Sequence, residues 1–395
     1  MAVATRVKEM MEGSSWVRRM FEAGIELRAK HGADRVCDFS IGNPDLEPPA
    51  EFRGVMHALI DDPAPRTHGY MPNAGYPAVR DRVARWISEE QGVKVEGGSV
   101  IMTCGAGGAL NVALKTVLNP GDEVIAPRPC FMEYRFYAQN QGGELRLVDC
   151  AGDFDLDLEA IRAALTVRTA AVLINSPNNP SGRVYPESTI RALGGLLERE
   201  SRRLGRTITL LADEPYRRIV FDGTRVPSIF AAYRNSMIAS SYSKDLSVPG
   251  ERIGWLAVHP ESEAHGDLVN GAILCNRVLG FVNAPALLQR AVAVLQDVCV
   301  DPEAYRRKRD RLCDALSSFG YEIQKPQGTF YLFPRAPGGD DLDFVRRLQE
   351  ELVLTVPGRG FGLEGYFRIA FCVDDAVIER SLPGFRKAIQ KTARG

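Results

Sequence analysis

The hydrophobic pattern changes character near residue 100. From there short apolar runs recur at Val100–Thr103, Glu123–Ala126, Leu145–Val148, Ala170–Ile174, Thr207–Ala212, Ser236–Ser240 and Ile253–Val258. Several are apolar throughout instead of alternating, as strands covered on both faces are. Segments of helical spacing separate most of them: Leu110, Ala113, Leu114, Val117 and Leu118 share one helix face, and Glu187–Arg203 forms a longer helix. Strand, loop and helix in alternation predict an α/β fold, a mostly parallel central sheet with helices on both faces.

The flanks read differently. An amphipathic helix is expected over Trp16–Lys30 and a short strand over Val36–Ile41, followed by Gly42-Asn43-Pro44-Asp45, a Pro-rich turn and a helix over Pro77–Glu90. After about Ala284, helical spacing holds over Pro285–Cys299 and Pro302–Ser318. Short strands follow at Gly328–Phe333 and Tyr366–Cys372, then a last helix over Asp375–Lys391. A chain of 395 residues has room for two domains. We expect residues 51–284 to form a large α/β domain, and residues 1–50 with 285–395 a smaller α+β domain with an N-terminal arm.

Composition narrows the partners. The net charge of −1 gives no field to draw in nucleic acid or an anionic membrane. Arg306, Arg307, Lys308, Arg309 and Arg311 lie in a helical pattern between acids and read as a solvated face. There is no run of 18 apolar residues to span a bilayer, and the N-terminus, with Lys8, Glu9, Glu12, Arg18 and Arg19, lacks a signal-peptide core. The eight cysteines are scattered without Cys-x-x-Cys, which fits free thiols in the cytoplasm; with no ligand spacing among the five histidines, no metal is expected.

Ligands of parallel sheets sit at the carboxyl ends of strands, so the polar residues there are the chemical candidates. They are Asn175 to Asn179, Asp213 with Tyr216, and Ser241 with Lys244. A lysine just past a buried strand loses solvation and with it its proton, and a neutral amine attacks aldehydes. Ser241, Ser243 and Arg252 around it suit a phosphate. Cys104-Gly105-Ala106-Gly107-Gly108, between strand and helix, either makes a tight turn or points backbone N–H groups at a phosphate. An aldehyde and a phosphate on one small molecule describe pyridoxal 5'-phosphate. Asp213 either caps its turn or faces the pyridine nitrogen of such a ring. Asn178-Asn179-Pro180-Ser181-Gly182 alone is a turn, and Tyr70 alone is loop packing. Arg368, between large apolar residues, pairs either with a protein carboxylate or with a substrate carboxylate. No Gly-x-x-x-x-Gly-Lys-Ser/Thr or Gly-x-Gly-x-x-Gly favours ATP or NAD.

SPNNPSG at 176–182, DEPY at 213–216, SYSKDLSVPGERIGW at 241–255 and FRIAF at 367–371 occur in an order that resembles the class I/II aminotransferases, fold-type-I pyridoxal-phosphate enzymes, from about Asp38 to Phe385. The resemblance implies a homodimer with shared active sites that moves an amino group between an L-amino acid and a 2-oxo acid by a ping-pong route. It implies roles by position. Lys244 forms the Schiff base and shuttles the proton. Asp213 faces the ring nitrogen, and Tyr216 and Asn179 bond the ring oxygen. Ser241, Arg252 and the backbone of Ala106 and Gly107 hold the phosphate, with Tyr70 reaching it from the partner subunit. Phe131 stacks on the ring, Arg368 and the Gly42 backbone bind the substrate carboxylate, and Asn179 is a substrate-binding residue as well. Gly107 stands where a Ser or Thr is often found, which removes one hydroxyl contact, and Phe131 lacks the polar handle of a Trp or Tyr. Arg277 is near the stretch where dicarboxylate-specific members carry a second arginine. A cystathionine-type carbon–sulfur lyase shares the same cofactor cage and is the alternative reading.

Overall fold

The protein is described here by a computed structural model that covers residues 2–12 and 16–392. Its centre is a seven-stranded sheet in the order Val100–Thr103, Gly254–Val258, Ser236–Ser241, Thr209–Asp213, Thr169–Asn175, Glu123–Arg128, Glu144–Asp149. Only Gly254–Val258 runs against its neighbours; the other pairings are parallel. The strands Thr169–Asn175, Thr209–Asp213, Ser236–Ser241 and Gly254–Val258 are buried along their whole length, which explains why they read as continuous apolar runs. The α/β expectation therefore holds.

Helix boundaries follow local chemistry. Pro77 opens the helix Pro77–Gln91, where its missing N–H has no intrahelical role, and Gly92 closes it in the left-handed conformation at φ 63°. The helix Pro302–Phe319 is capped by the Asp301 carboxylate, which accepts from Glu303 N.

Two large cores lie against opposite faces of this sheet, one built on Ile125, Val172, Leu210 and Ile238, the other on Ile101, Val124, Leu173 and Met237. A third, rich in Phe, gathers Phe39, Phe330, Phe344, Phe367, Phe371 and Phe385 around a small antiparallel sheet of Val356–Pro357, Phe367–Ala370 and Tyr331–Leu332. The helix Ala286–Val294 places Leu288, Ala291 and Val292 in the first core, beside the helix Pro77–Gln91.

The peripheral strands are shorter than their apolar runs. Val36–Ile41 is a strand only at Cys37–Asp38, paired in parallel with Val353–Leu354. The Asp38 carboxylate accepts from Ser40 N at 2.9 Å and Ser40 Oγ at 2.6 Å, a local alternative to sheet pairing that bends the chain toward Gly42. Likewise only Tyr331–Leu332 and Phe367–Ala370 of the two later runs are strand, and the helix expected to reach Cys299 ends at Val294. Helices at Ala50–Ile60, Glu133–Asn140, Leu158–Ala164, His265–Val278 and Asp341–Glu350 are additional to those expected, although Phe52, Val55, Met56 and Leu59 of the first and Phe344, Val345 and Leu348 of the last keep helical spacing. Among the described residues no helix is long and apolar enough to cross a membrane, and no group of His, Cys, Asp and Glu is arranged to hold a metal ion.

Candidate active site

Adjacent parallel strands end side by side at Asn175, Asp213 and Ser241, with Asn175 in register with Asp213. Their carboxyl ends form the floor of a cleft of about 290 Å³. Lys244 enters it from the turn after Ser241, Ala106 and Gly107, which the structure places in the first turn of the helix Gly105–Val117 and not in a loop, close one end, and Arg368 of the small sheet closes the other.

Lys244 Nζ donates to Gly42 O at 2.9 Å and lies 5.4 Å from the Phe330 ring and 5.9 Å from the Tyr216 ring. Enclosure by protein, reinforced by the positive charges of Arg368 and Arg252, lowers its pKa to about 8. A substantial share of neutral amine at physiological pH makes it a nucleophile.

Asp213 is buried. Its Oδ2 accepts from the Tyr134 hydroxyl at 2.5 Å, while its Oδ1 has no hydrogen-bond partner. Burial pushes its pKa up to about 7, with the nearby Glu214 adding to the rise and the Tyr134 hydroxyl opposing it. A buried carboxylate oxygen with nothing to bond is costly unless something that donates a hydrogen bond meets it.

Arg368 is 3% exposed. Nη1 donates to Asn179 Oδ1 at 3.1 Å and Nη2 to Ser40 O at 2.6 Å, while Nε has no partner. The guanidinium lies 4.5 Å from the Tyr331 ring and 4.6 Å from the Phe361 ring. Among the described residues no carboxylate pairs with it, so the protein-salt-bridge reading of Arg368 is set aside. Desolvation pulls its pKa down. Because Asn179 Oδ1 faces Arg368, the amide's Nδ2 is left to donate elsewhere. The Asn179 backbone N–H is tied to Asn175 Oδ1 at 2.7 Å, which fixes the residue.

At the other end the helix Gly105–Val117 points its N-terminus into the cleft beside Ser241, Ser243 and Arg252. Gly105 has φ +73°, and a Cβ there would sit 2.8 Å from Arg252 Nη2, so glycine lets the arginine lie against the helix start. Arg252 itself is left-handed at φ 51°, and its Nη1 donates to Pro249 O at 2.9 Å.

Lys244, Asp213, Tyr216, Asn179, Ser241, Arg252, Ala106, Gly107, Phe131, Arg368 and Gly42 thus line one cleft. Tyr70 does not: it is 95% exposed and projects away from its own chain. Arg277 is exposed on the helix His265–Val278 and lies outside the cleft. Tyr134 and Tyr137 escaped the sequence reading. They follow Phe131 at three-residue steps just past the strand Glu123–Arg128, a fourth strand end that opens toward the cleft. Tyr331 lines the cleft as well, and its hydroxyl is 2.9 Å from that of Tyr216.

A lysine of lowered pKa, a carboxylate with a free buried oxygen and an arginine with no counter-ion among the described residues meet on the carboxyl edge of a mostly parallel sheet, the chemistry of an α/β enzyme. The family model of aminotransferase class I and II matches residues 34–383; the chain belongs to that family and is an aminotransferase. Over its length it is similar to a solved amino transferase of Eubacterium rectale, at 37% identity and a TM-score of 0.96, with 99% of each chain covered. It is similar to a solved aspartate aminotransferase of Thermus thermophilus with maleate, at 26% identity and a TM-score of 0.86, covering 98% of this chain and 100% of that one. A probable aspartate/prephenate aminotransferase of Thermus aquaticus is 31% identical, over 93% of this chain and 94% of the relative.

Proposed function

We propose that the cleft holds pyridoxal 5'-phosphate and that the protein transfers the amino group of an L-amino acid to a 2-oxo acid in two half-reactions. The observation that carries this is electrostatic: each unsatisfied group in the cleft matches a different part of that cofactor and its substrate. The free Asp213 Oδ1 suits a protonated ring nitrogen, the Lys244 amine with its pKa lowered to about 8 suits the aldehyde, and Arg368 suits a carboxylate. When bound, the cofactor supplies an electron sink for the bonds at the substrate Cα.

The chain's own residues do the rest. Lys244 Nζ would hold the cofactor through its aldehyde carbon, with loss of water, and as a free amine would take and return the proton at the substrate Cα. Asp213, held by Tyr134, keeps the ring nitrogen charged. The Tyr216 hydroxyl and Asn179 Nδ2 donate to the ring oxygen. Phe131 covers the ring. Ala106 and Gly107 N–H, Ser241 and Arg252 bind the phosphate. Arg368 and the Gly42 backbone orient the substrate carboxylate and thereby its Cα–H bond.

The exposure of Tyr70 supports a homodimer in which it reaches the phosphate of the other copy. The eight cysteines are all free, which supports a reducing, cytoplasmic setting. We further propose that the two sheet-facing cores mark a large domain and the Phe-rich core a small one, with the helix Ala286–Val294 joining the large domain.

Relatives named for aspartate make aspartate the first donor to try. Mixing the cofactor-loaded protein with single amino acids and following cofactor absorbance ranks the half-reaction rates. Conversion that needs no 2-oxo acid for the first half but requires one to restore the starting spectrum supports the proposal. Pyruvate and ammonia from cystathionine with no oxo-acid requirement would replace it by the lyase reading.

A further inference from the structure

The phosphate end of the cleft carries glycine at 107, which offers a backbone N–H but no hydroxyl. The structure puts another hydroxyl in its place. A Cβ built at Gly107 would stand 3.1 Å from the Tyr137 hydroxyl oxygen, so the phenol tip occupies the space that a serine or threonine side chain would fill. Tyr137 lines the same cleft as Ala106, Ser241, Ser243 and Arg252. It is positioned by the helix Glu133–Asn140, whose buried Tyr134 and Ala138 fix that helix against the core. Among the described residues its hydroxyl has no hydrogen-bond partner. Of the neighbouring phenols, Tyr134 donates to Asp213, and the Tyr216 and Tyr331 hydroxyls lie 2.9 Å apart, one donating to the other.

We propose that Tyr137 is a phosphate-binding residue of this enzyme, its hydroxyl donating to a phosphate oxygen in place of the side chain that Gly107 lacks. This rests on the cofactor reading above. Two features make the phenol a suitable donor. Burial, with Glu133 and Asp213 nearby, raises its pKa to about 12 against the opposing pull of Arg252, so it keeps its proton at every working pH. The helix N-terminus and Arg252 bring the anion to the hydroxyl without its having to carry charge itself. A Cβ at residue 107 would crowd the Tyr137 hydroxyl, which would have to shift by a few tenths of an ångström to admit it.

The test is a cofactor titration of the resolved apoprotein, followed by absorbance, for the starting chain, Tyr137→Phe, Gly107→Ser and the double substitution. Each is titrated with pyridoxal 5'-phosphate and with phosphate-free pyridoxal. A lost hydrogen bond to an anion is expected to weaken pyridoxal 5'-phosphate binding by about tenfold or more in Tyr137→Phe. Pyridoxal binding, which also reports that the variant folds, is expected to stay unchanged. Gly107→Ser alone is expected to weaken the phosphate form because its side chain crowds the phenol, yet in the Tyr137→Phe background it should recover most of the lost affinity. Starting-chain affinity in Tyr137→Phe overturns the proposal, as does an equal loss for both ligands, which would make Tyr137 a wall and not a phosphate ligand. Failure of the starting chain to bind pyridoxal 5'-phosphate more tightly than pyridoxal would instead overturn the cofactor reading itself.

Discussion

Replacing Arg368 by methionine separates a substrate-binding arginine from a structural one. Among the described residues Arg368 makes two hydrogen bonds, to Asn179 Oδ1 and Ser40 O, and no ion pair. Its removal leaves those two acceptors unpaired, at about 1–3 kcal/mol each. It also removes a buried guanidinium without a counter-ion, which relieves several kcal/mol of desolvation. The terms oppose each other, so we expect stability to urea, without substrate, to change by less than about 2 kcal/mol. Removing one half of a buried ion pair would cost about 3–5 kcal/mol instead. Catalysis should respond very differently. Two charge-assisted bonds to a substrate carboxylate, at about 1.5–3 kcal/mol each, correspond to a loss of roughly 10²- to 10⁴-fold in kcat/KM. The half-reaction should be timed with an amino acid and with the amine that lacks its carboxylate. The methionine variant should lose rate only with the amino acid. Equal losses on both, or a large fall in stability with the amino-acid rate kept, would refute the assignment. Arg368→Lys keeps the charge but cannot form the fork, and should fall between the two.

Lys244→Ala should fold, and should lose both transamination and the absorbance of the lysine-bound cofactor; retained turnover would reject Lys244 as the attachment point. Because the neutral amine grows as pH rises through about 8, the rate of cofactor capture by the apoprotein should climb through that pH and level off above it. Asp213→Asn should lower kcat far more than substrate affinity, read from single-turnover rates. Its apoprotein should also be the more stable form at pH 8. The native Asp213 holds its proton up to about 7 whereas the unfolded one releases it near 3.8, so its penalty appears as pH rises between those values, reaching at most about 4 kcal/mol. Gly42→Ala should cost about 1–3 kcal/mol by overpacking and raise KM, since a Cβ there would sit 1.9 Å from the Tyr331 hydroxyl; unchanged stability and KM would contradict the close approach.

The sequence by itself determined the sheet, because strands buried on both faces must be apolar throughout, as Ala170–Ile174 is. It also determined the strand-end candidates, because backbone geometry leaves Asn175, Asp213 and Ser241 facing out of such a sheet, and Lys244 stands one turn beyond. The small strands were legible as apolar runs but not as strands of the right length, since the Asp38 side chain decides where pairing stops. Only the tertiary structure settled what each charge faces. Arg368 reads the same in sequence whether a protein carboxylate lies opposite it or not; the fold brings it to Asn179 and Ser40 and leaves its charge unmatched. The glycine at 107 likewise reads as a missing hydroxyl, and only the fold puts the Tyr137 phenol there. Pairwise electrostatics and shape complementarity depend on distances of a few ångströms between residues far apart in the chain, and no local pattern of apolar and polar positions encodes those distances.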